Sequence, residues 1–200
     1  MTPIKFQEAF ERELNVFYNV DEKPVADTTF YWLNQAVMKF AKTRYSGTNA
    51  KATSFEQSQK RIDDLRTLVV KDNFTEASGI SSNSEENWYS IELPEDYMFK
   101  IGTRVGILPR TDVDNPKSSC WKKNSNGDAI VRYVDPIEVT HDTIDRELEN
   151  SLSERHMHYC SAKPLKLVSG NNIVFYTDQY YYITEVILEY IKTPTAITLE

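Results

Sequence analysis

The hydrophobic period of this chain changes once, after Leu68, and that change restricts the folds open to it. Up to Leu68, apolar residues recur three or four positions apart, as on one face of a helix. Beyond it they alternate, or run in short blocks bounded by turn residues, as in strands. The expectation is an α+β fold, with an N-terminal helical bundle packed with a C-terminal antiparallel β-sheet or meander, long loops and an extended C-terminal arm. In this reading residues 1–193 form one α+β domain, helical over 1–72 and mainly β with one short helix over 88–193. Residues 194–200 are the arm.

The best-specified helix spans 28–47. Phe30, Leu33, Val37, Phe40, Ala41 and Arg44 make one stripe. Asp27 stands where a carboxylate accepts from the free N–H groups of a first turn. Lys39, Lys42 and Arg44 gather at the negative end, and Gly47 supplies a left-handed stop. Upstream, Thr2 caps and Pro3 opens a helix whose stripe is Phe6, Phe10, Leu14 and Phe17. Pro24 lies in the connection, so the two helices are expected as an antiparallel hairpin. A third helix begins near Thr53, with Glu56 completing a capping box, and carries Phe55, Ile62, Leu65 and Val69. On its wet side Arg61 and Asp64 can pair.

Residues 73–87 are rich in Ser, Glu, Asn and Gly and read as a long solvated loop. Strands follow at 88–93, ended by Pro94, and at 97–108, where Gly102 and Gly106 mark bulges or close backbone approach. A second long loop, 109–128, ends in the tight-turn pair Asn126-Gly127 and returns the chain into a strand over 129–134. Thr140 caps a short helix with Ile144, Leu148 and Leu152 on one face and Asp145, Arg146 and Glu149 on the other. A meander closes the sequence, with strands at 165–168, 173–177 and 181–191. The last is apolar on both faces near Val186 to Leu188, which places it centrally.

The net charge of −7 argues against gripping nucleic acid through its phosphates. Lys100, Arg104 and Arg110 form a modest basic stretch among acidic neighbours, weak for phosphate contact. No apolar run approaches the roughly 20 residues of a membrane-spanning helix, and the opening residues lack a signal peptide's apolar core. Cys120 and Cys160 are the two cysteines, read as free thiols in a reducing compartment. The 12 Tyr, 9 Phe and 3 Trp suit either protein interfaces or, for Tyr, simple strand formation. His156, His158 and Cys160 alternate and would share one face of a strand at metal-ligand spacing, with His141 the one remaining histidine. So short a motif is often accidental, and no metal or other cofactor is assigned. Residues 112–115 lack the glycine and the closing Glu of a calcium loop. Adjacent Asp63 and Asp64 cannot pair on one substrate; Glu92, Glu95 and Asp96 read as loop solvation. Nucleotide-loop and hydrolase-elbow motifs are missing, so no catalytic residue is named.

Three segments carry a family likeness: Phe30-Tyr31-Trp32-Leu33-Asn34-Gln35 with Lys42-Thr43-Arg44-Tyr45; Phe55 with Arg61-Ile62-Asp63-Asp64-Leu65-Arg66-Thr67-Leu68; and Leu93-Pro94-Glu95-Asp96-Tyr97. With the ending Glu189-Tyr190-Ile191-Lys192-Thr193-Pro194, the chain resembles head-to-tail connector (ring or adaptor) proteins of tailed bacteriophages, nearest those of crAss-like phages. The resemblance implies a non-enzymatic virion protein, assembled in the host cytoplasm as a homo-oligomeric ring, twelve-fold, that joins the portal protein to neighbouring ring or tail proteins. DNA would pass through its channel unbound, which an acidic subunit suits. Tyr180, Tyr181 and Tyr182 would supply side-to-side contacts, and Pro194, Ile197 and Leu199 an arm that adds to a neighbour's sheet edge. The long loops would order against adjoining rings, and the 109–128 insertion departs from the pattern. The alternatives are a tail-tip or receptor-contacting module of a phage tail, and an enzyme using the His156/His158/Cys160 face.

Overall fold

A computed structural model describes residues 3–18, 26–46, 63–83, 87–111, 121–150 and 163–198. The chain is α+β and divides into two compact units, Met1–Val69 with Lys192–Glu200, and Val70–Ile191.

The first unit contains α1 (Pro3–Tyr18) and α2 (Ala26–Ser46), which touch one another, and α3, whose described residues are 63–65. In α1 the predicted stripe residues Phe6, Phe10 and Leu14 are half-buried. In α2, Phe30, Leu33 and Ala41 are buried as their spacing demands, and Thr29 joins them. Phe40 is the exception on that stripe. It is exposed, and the Arg44 guanidinium lies 5.0 Å over its ring, so the ring's face meets a cation rather than the core. Asp27 lies inside the helix, because α2 begins at Ala26. Ser46 ends it, consistent with a stop at Gly47. The third helix does not carry its stripe to Val69: after buried Leu65, a 3-10 turn (Arg66–Leu68) leads into a strand that starts there. Asp64 faces Arg44, at 3.3 Å; Arg61, its expected partner, lies outside the described residues. The expected Thr53–Glu56 capping box lies outside the described residues.

The second unit is built on two sheets. One has the order β1 (Val69–Thr75), β9 (Tyr181–Lys192), β4 (Tyr97–Pro109), β5 (Arg132–Val134). The other has the order β2 (Ile80–Asn83), β3 (Trp88–Glu92), β8 (Asn172–Tyr176), β7 (Leu165–Ser169), β6 (Ile137–Glu138). Within the second sheet every pairing is antiparallel except β6 with β7. The sheets share one core, in which Ile91, Val105, Ile107, Phe175, Ile183, Val186 and Leu188 are almost wholly buried. Each such aliphatic or aromatic side chain contributes about 1.5–3 kcal/mol of burial. A smaller cluster of Val139, Ile144, Leu165 and Leu167 forms where α4 (Ile144–Glu149) meets β7.

Strands β3, β4 and β7 to β9 fall where the alternation predicts, and β9 is indeed interior. Three expectations are corrected. Residues 73–87 are not one loop: β1 runs to Thr75, a 3-10 turn and Gly79 follow, and β2 pairs with β3. Gly79 holds a φ of 109°, which lets the chain reverse there, and buried Ile80 anchors an otherwise polar edge strand. The return strand after Asn126-Gly127 is only Arg132–Val134; the turn itself forms, Gly127 donating to Asn124 O at 3.1 Å. The short helix starts at Ile144, because Thr140 accepts with its carbonyl from Thr143 and Ile144 in a turn ahead of it.

Candidate functional site

β9 shows how the polar face of the first sheet is assembled. Its buried residues are Tyr181 and Ile183, then Val186, Leu188 and Tyr190, with Ile191 beside the last, so the burial phase slips by one residue around Glu185. The simple alternation expected there, with Ile183 and Ile191 on a face with Glu185, therefore fails at that point. Glu185 lies across β4 beside Gly106, where a Cβ would come within 2.7 Å of Glu185 Cγ. The close approach expected of this glycine is real; Gly102 has only ordinary contact with Glu189. From this position Glu185 accepts from Asn73 Nδ2 of β1 at 3.0 Å and from the Tyr133 hydroxyl of β5. The Tyr133 phenol is held above its usual range by its bond to Glu185. One carboxylate thus ties all four strands across the sheet's outer face.

A second polar knot joins β1, β9 and the turn before β4. The Tyr190 hydroxyl lies 2.9 Å from Asp96 Oδ1 and 3.1 Å from Asp72 Oδ2. Burial, then the hydrogen bonds to Asp96 and Asp72, raise its pKa. Asp96 is therefore a structural acceptor and not merely loop solvation.

A third cluster gathers Lys100 of β4, Glu138 of β6 and Lys166 of β7. Register sets the Glu138–Lys166 pair, and Lys100 comes from the other sheet. Glu138 stands opposite Lys166, and Lys166 opposite Phe175, whose ring lies in the shared core. Lys166 is 4% exposed, and burial together with the Lys100 ammonium lowers its pKa to about 8. Burial pulls Lys100 down too, but its hydrogen bond to Glu138 and the charge of that carboxylate offset this and leave it raised. The Lys100 hydrogen bond and the Lys166 charge hold Glu138 below its usual value against burial. The other members of the basic stretch are also paired: Arg104 lies 3.6 Å from Asp135, and Arg110 donates to Asn87 Oδ1.

The predicted contact residues scatter. Tyr181 is 1% exposed, a core residue whose phenol is pushed well up by burial, so it is unavailable as a surface group. Tyr180 and Tyr182 are half-buried; the Tyr180 backbone is fixed through Asp178 and Arg110. Pro194 and Ile197 are half-buried. The segment 193–198 is extended without joining a sheet, and the Asn34 amide of α2 bonds both backbone groups of Ile197, accepting at 2.8 Å and donating at 3.1 Å. At Ile197 the arm is therefore docked on its own chain, and the ladder groups it would lend to a neighbour's sheet are already engaged. Leu199, His156, His158, Cys160 and residues 112–115 lie outside the described residues. Among the described residues no group of three potential ligands is placed to hold a metal ion, and no helix is long and apolar enough to cross a membrane.

Among the described residues the exposed aromatics are Tyr133 of β5, at 52%, and four on α2: Tyr31 is 57%, Trp32 60%, Phe40 47% and Tyr45 44% exposed. Tyr31 and Trp32 pack edge to face at 5.5 Å. A signal for them was available, since both stand off the helix's buried stripe, where a solvated helix carries polar residues. No family model matches this chain, and no curated protein matches it.

Proposed function

We propose that this chain is a non-enzymatic structural subunit that works by contact with other protein chains, and that its place is the virion, in a head-to-tail connector ring between portal and tail. The observation that carries this reading is the four exposed aromatic rings of α2. Aromatic side chains are enriched where protein surfaces meet, and rings of this size left in water favour a partner. The contact surface is thus assigned to α2 in place of the tyrosines at 180–182. A net charge of −7 supports a conduit whose wall does not hold DNA. In this reading α1 and α2 form the antiparallel hairpin of a helical bundle, twelve copies close the ring, and the chain assembles in the host cytoplasm.

The test is co-expression with portal and tail proteins of a tailed phage, followed by electron microscopy. The reading expects annular particles containing this chain, lost when Tyr31 and Trp32 are both changed to Ala. Particles in which the chain sits at the distal end of a tail would replace it with the tail-tip reading. A turnover traced to this chain's own side chains would overturn both.

A further inference from the structure

The exposed side of α2 carries cations as well as rings. Lys39 and Lys42 stand with Tyr31 and Trp32 away from buried Phe30, Leu33 and Ala41. Among the described residues neither lysine has an ion pair. Arg44 is already engaged, by Asp64 and the Phe40 ring. Against these three cations α2 has one carboxylate, Asp27, a balance of +2; with a net charge of −7, the rest of the chain therefore stands at −9. Two such faces set together would bring lysine against lysine, and like charges across an interface oppose association. The face suits an unlike, acidic surface, and a head-to-tail contact between copies joins two unlike patches.

An acidic surface of this kind lies at α4. Asp142, Asp145 and Glu149 are exposed at helical spacing on one side, opposite buried Ile144 and Glu147. Among the described residues none of the three has an ion pair. The cation beside them, Arg146, lies 3.5 Å from Glu147. Exposed carboxylates elsewhere are engaged: Glu189 by Lys71, Asp135 by Arg104 and Asp128 by Asn124. We propose that Lys39 and Lys42 of one copy dock against Asp142, Asp145 and Glu149 of a second copy, so that copies join head to tail. This rests on the reading above, that the rings of α2 meet another chain. The rings supply the apolar burial; the lysines choose the partner surface and rule out pairing of α2 with α2. The docking also relieves the repulsion among three carboxylates held within two helical turns.

The experiment uses two charge-reversed full chains, Lys39→Glu with Lys42→Glu, and Asp142→Lys with Asp145→Lys and Glu149→Lys. Circular dichroism checks that both fold, and light scattering gives their mass alone and mixed. Each alone should associate about a hundred-fold more weakly than the wild-type chain, because its two patches now carry the same sign. Mixed in equal amounts they should regain the wild-type mass, since each variant then offers what the other lacks; a chain merely damaged by substitution gives no such recovery. Wild-type association should also weaken as salt is raised. Unchanged association of the α4 variant, or no recovery on mixing, would overturn the pairing of α2 with α4. If Tyr31→Ala with Trp32→Ala still dissociates the chain in that case, the contact through the rings stands without it. A wild-type chain that stays single at every concentration and salt would overturn both.

Discussion

Gly106 carries more of the first sheet than its missing side chain suggests. A methyl group there would sit 2.7 Å from Glu185 Cγ and 3.0 Å from Val131 Cγ1, and moving Glu185 would strain its bonds to Asn73 and Tyr133. Gly106→Ala should therefore destabilise the chain by about 1–3 kcal/mol in chemical denaturation. Thr103 makes the opposite case. It is 8% exposed on β4, and its hydroxyl is buried with no hydrogen-bond partner. Thr103→Val removes a desolvated polar atom and should raise stability by about 1 kcal/mol in the same assay. Lys166 gives a pH dependence. Its folded pKa, about 8, lies below the usual 10.5, so between these values the unfolded chain binds more protons and stability rises with pH. Denaturation should show stability rising from about pH 8 to 10, before the tyrosines titrate, and Lys166→Met should flatten the rise. Glycine at 106 was readable in the sequence as a place of close approach. The lysine cluster was not, because Glu138 and Lys166 meet through strand register and Lys100 reaches them from the other sheet.

At the scale of elements, burial is concentrated in the strands. β8 and β9 line the shared core with Ile173, Phe175, Ile183, Val186 and Leu188, while the described apolar residues of α1 are half-buried or, at Ile4, exposed. Amide exchange should therefore be slowest in β8 and β9 and much faster in α1, measured residue by residue. Comparable protection in α1 would mean a helical core that these side chains do not account for. The same contrast explains what the sequence disclosed. β3, β4 and β7 to β9 alternate strongly because one face enters a core, and were legible. β2 has one buried apolar residue, Ile80, among serines, and β6 is two residues long and pairs in parallel, so neither leaves a period to detect. The arm was legible as extended chain after Pro194. Its attachment was not, since Asn34 reaches Ile197 across 163 positions using backbone groups that carry no sequence signal.

For the whole molecule, the two units pose different demands. The Val70–Ile191 unit fills its own core, while α2 of the other unit leaves four aromatic rings in water. The sequence marked this chain as aromatic-rich and acidic but placed its contact residues at Tyr180, Tyr181 and Tyr182 and on the arm at Pro194, Ile197 and Leu199, and the fold needs Tyr181 for packing. Strand tyrosines at alternating positions divide between core and surface, and composition alone cannot say which. A chain that works by joining its copies through α2 must associate in the absence of any substrate. Light scattering on the purified protein across a range of concentrations tests this most directly. The account predicts a mass that is a closed multiple of 23.2 kDa and falls to the single chain in the Tyr31→Ala, Trp32→Ala variant. A mass of 23.2 kDa at every concentration would contradict it.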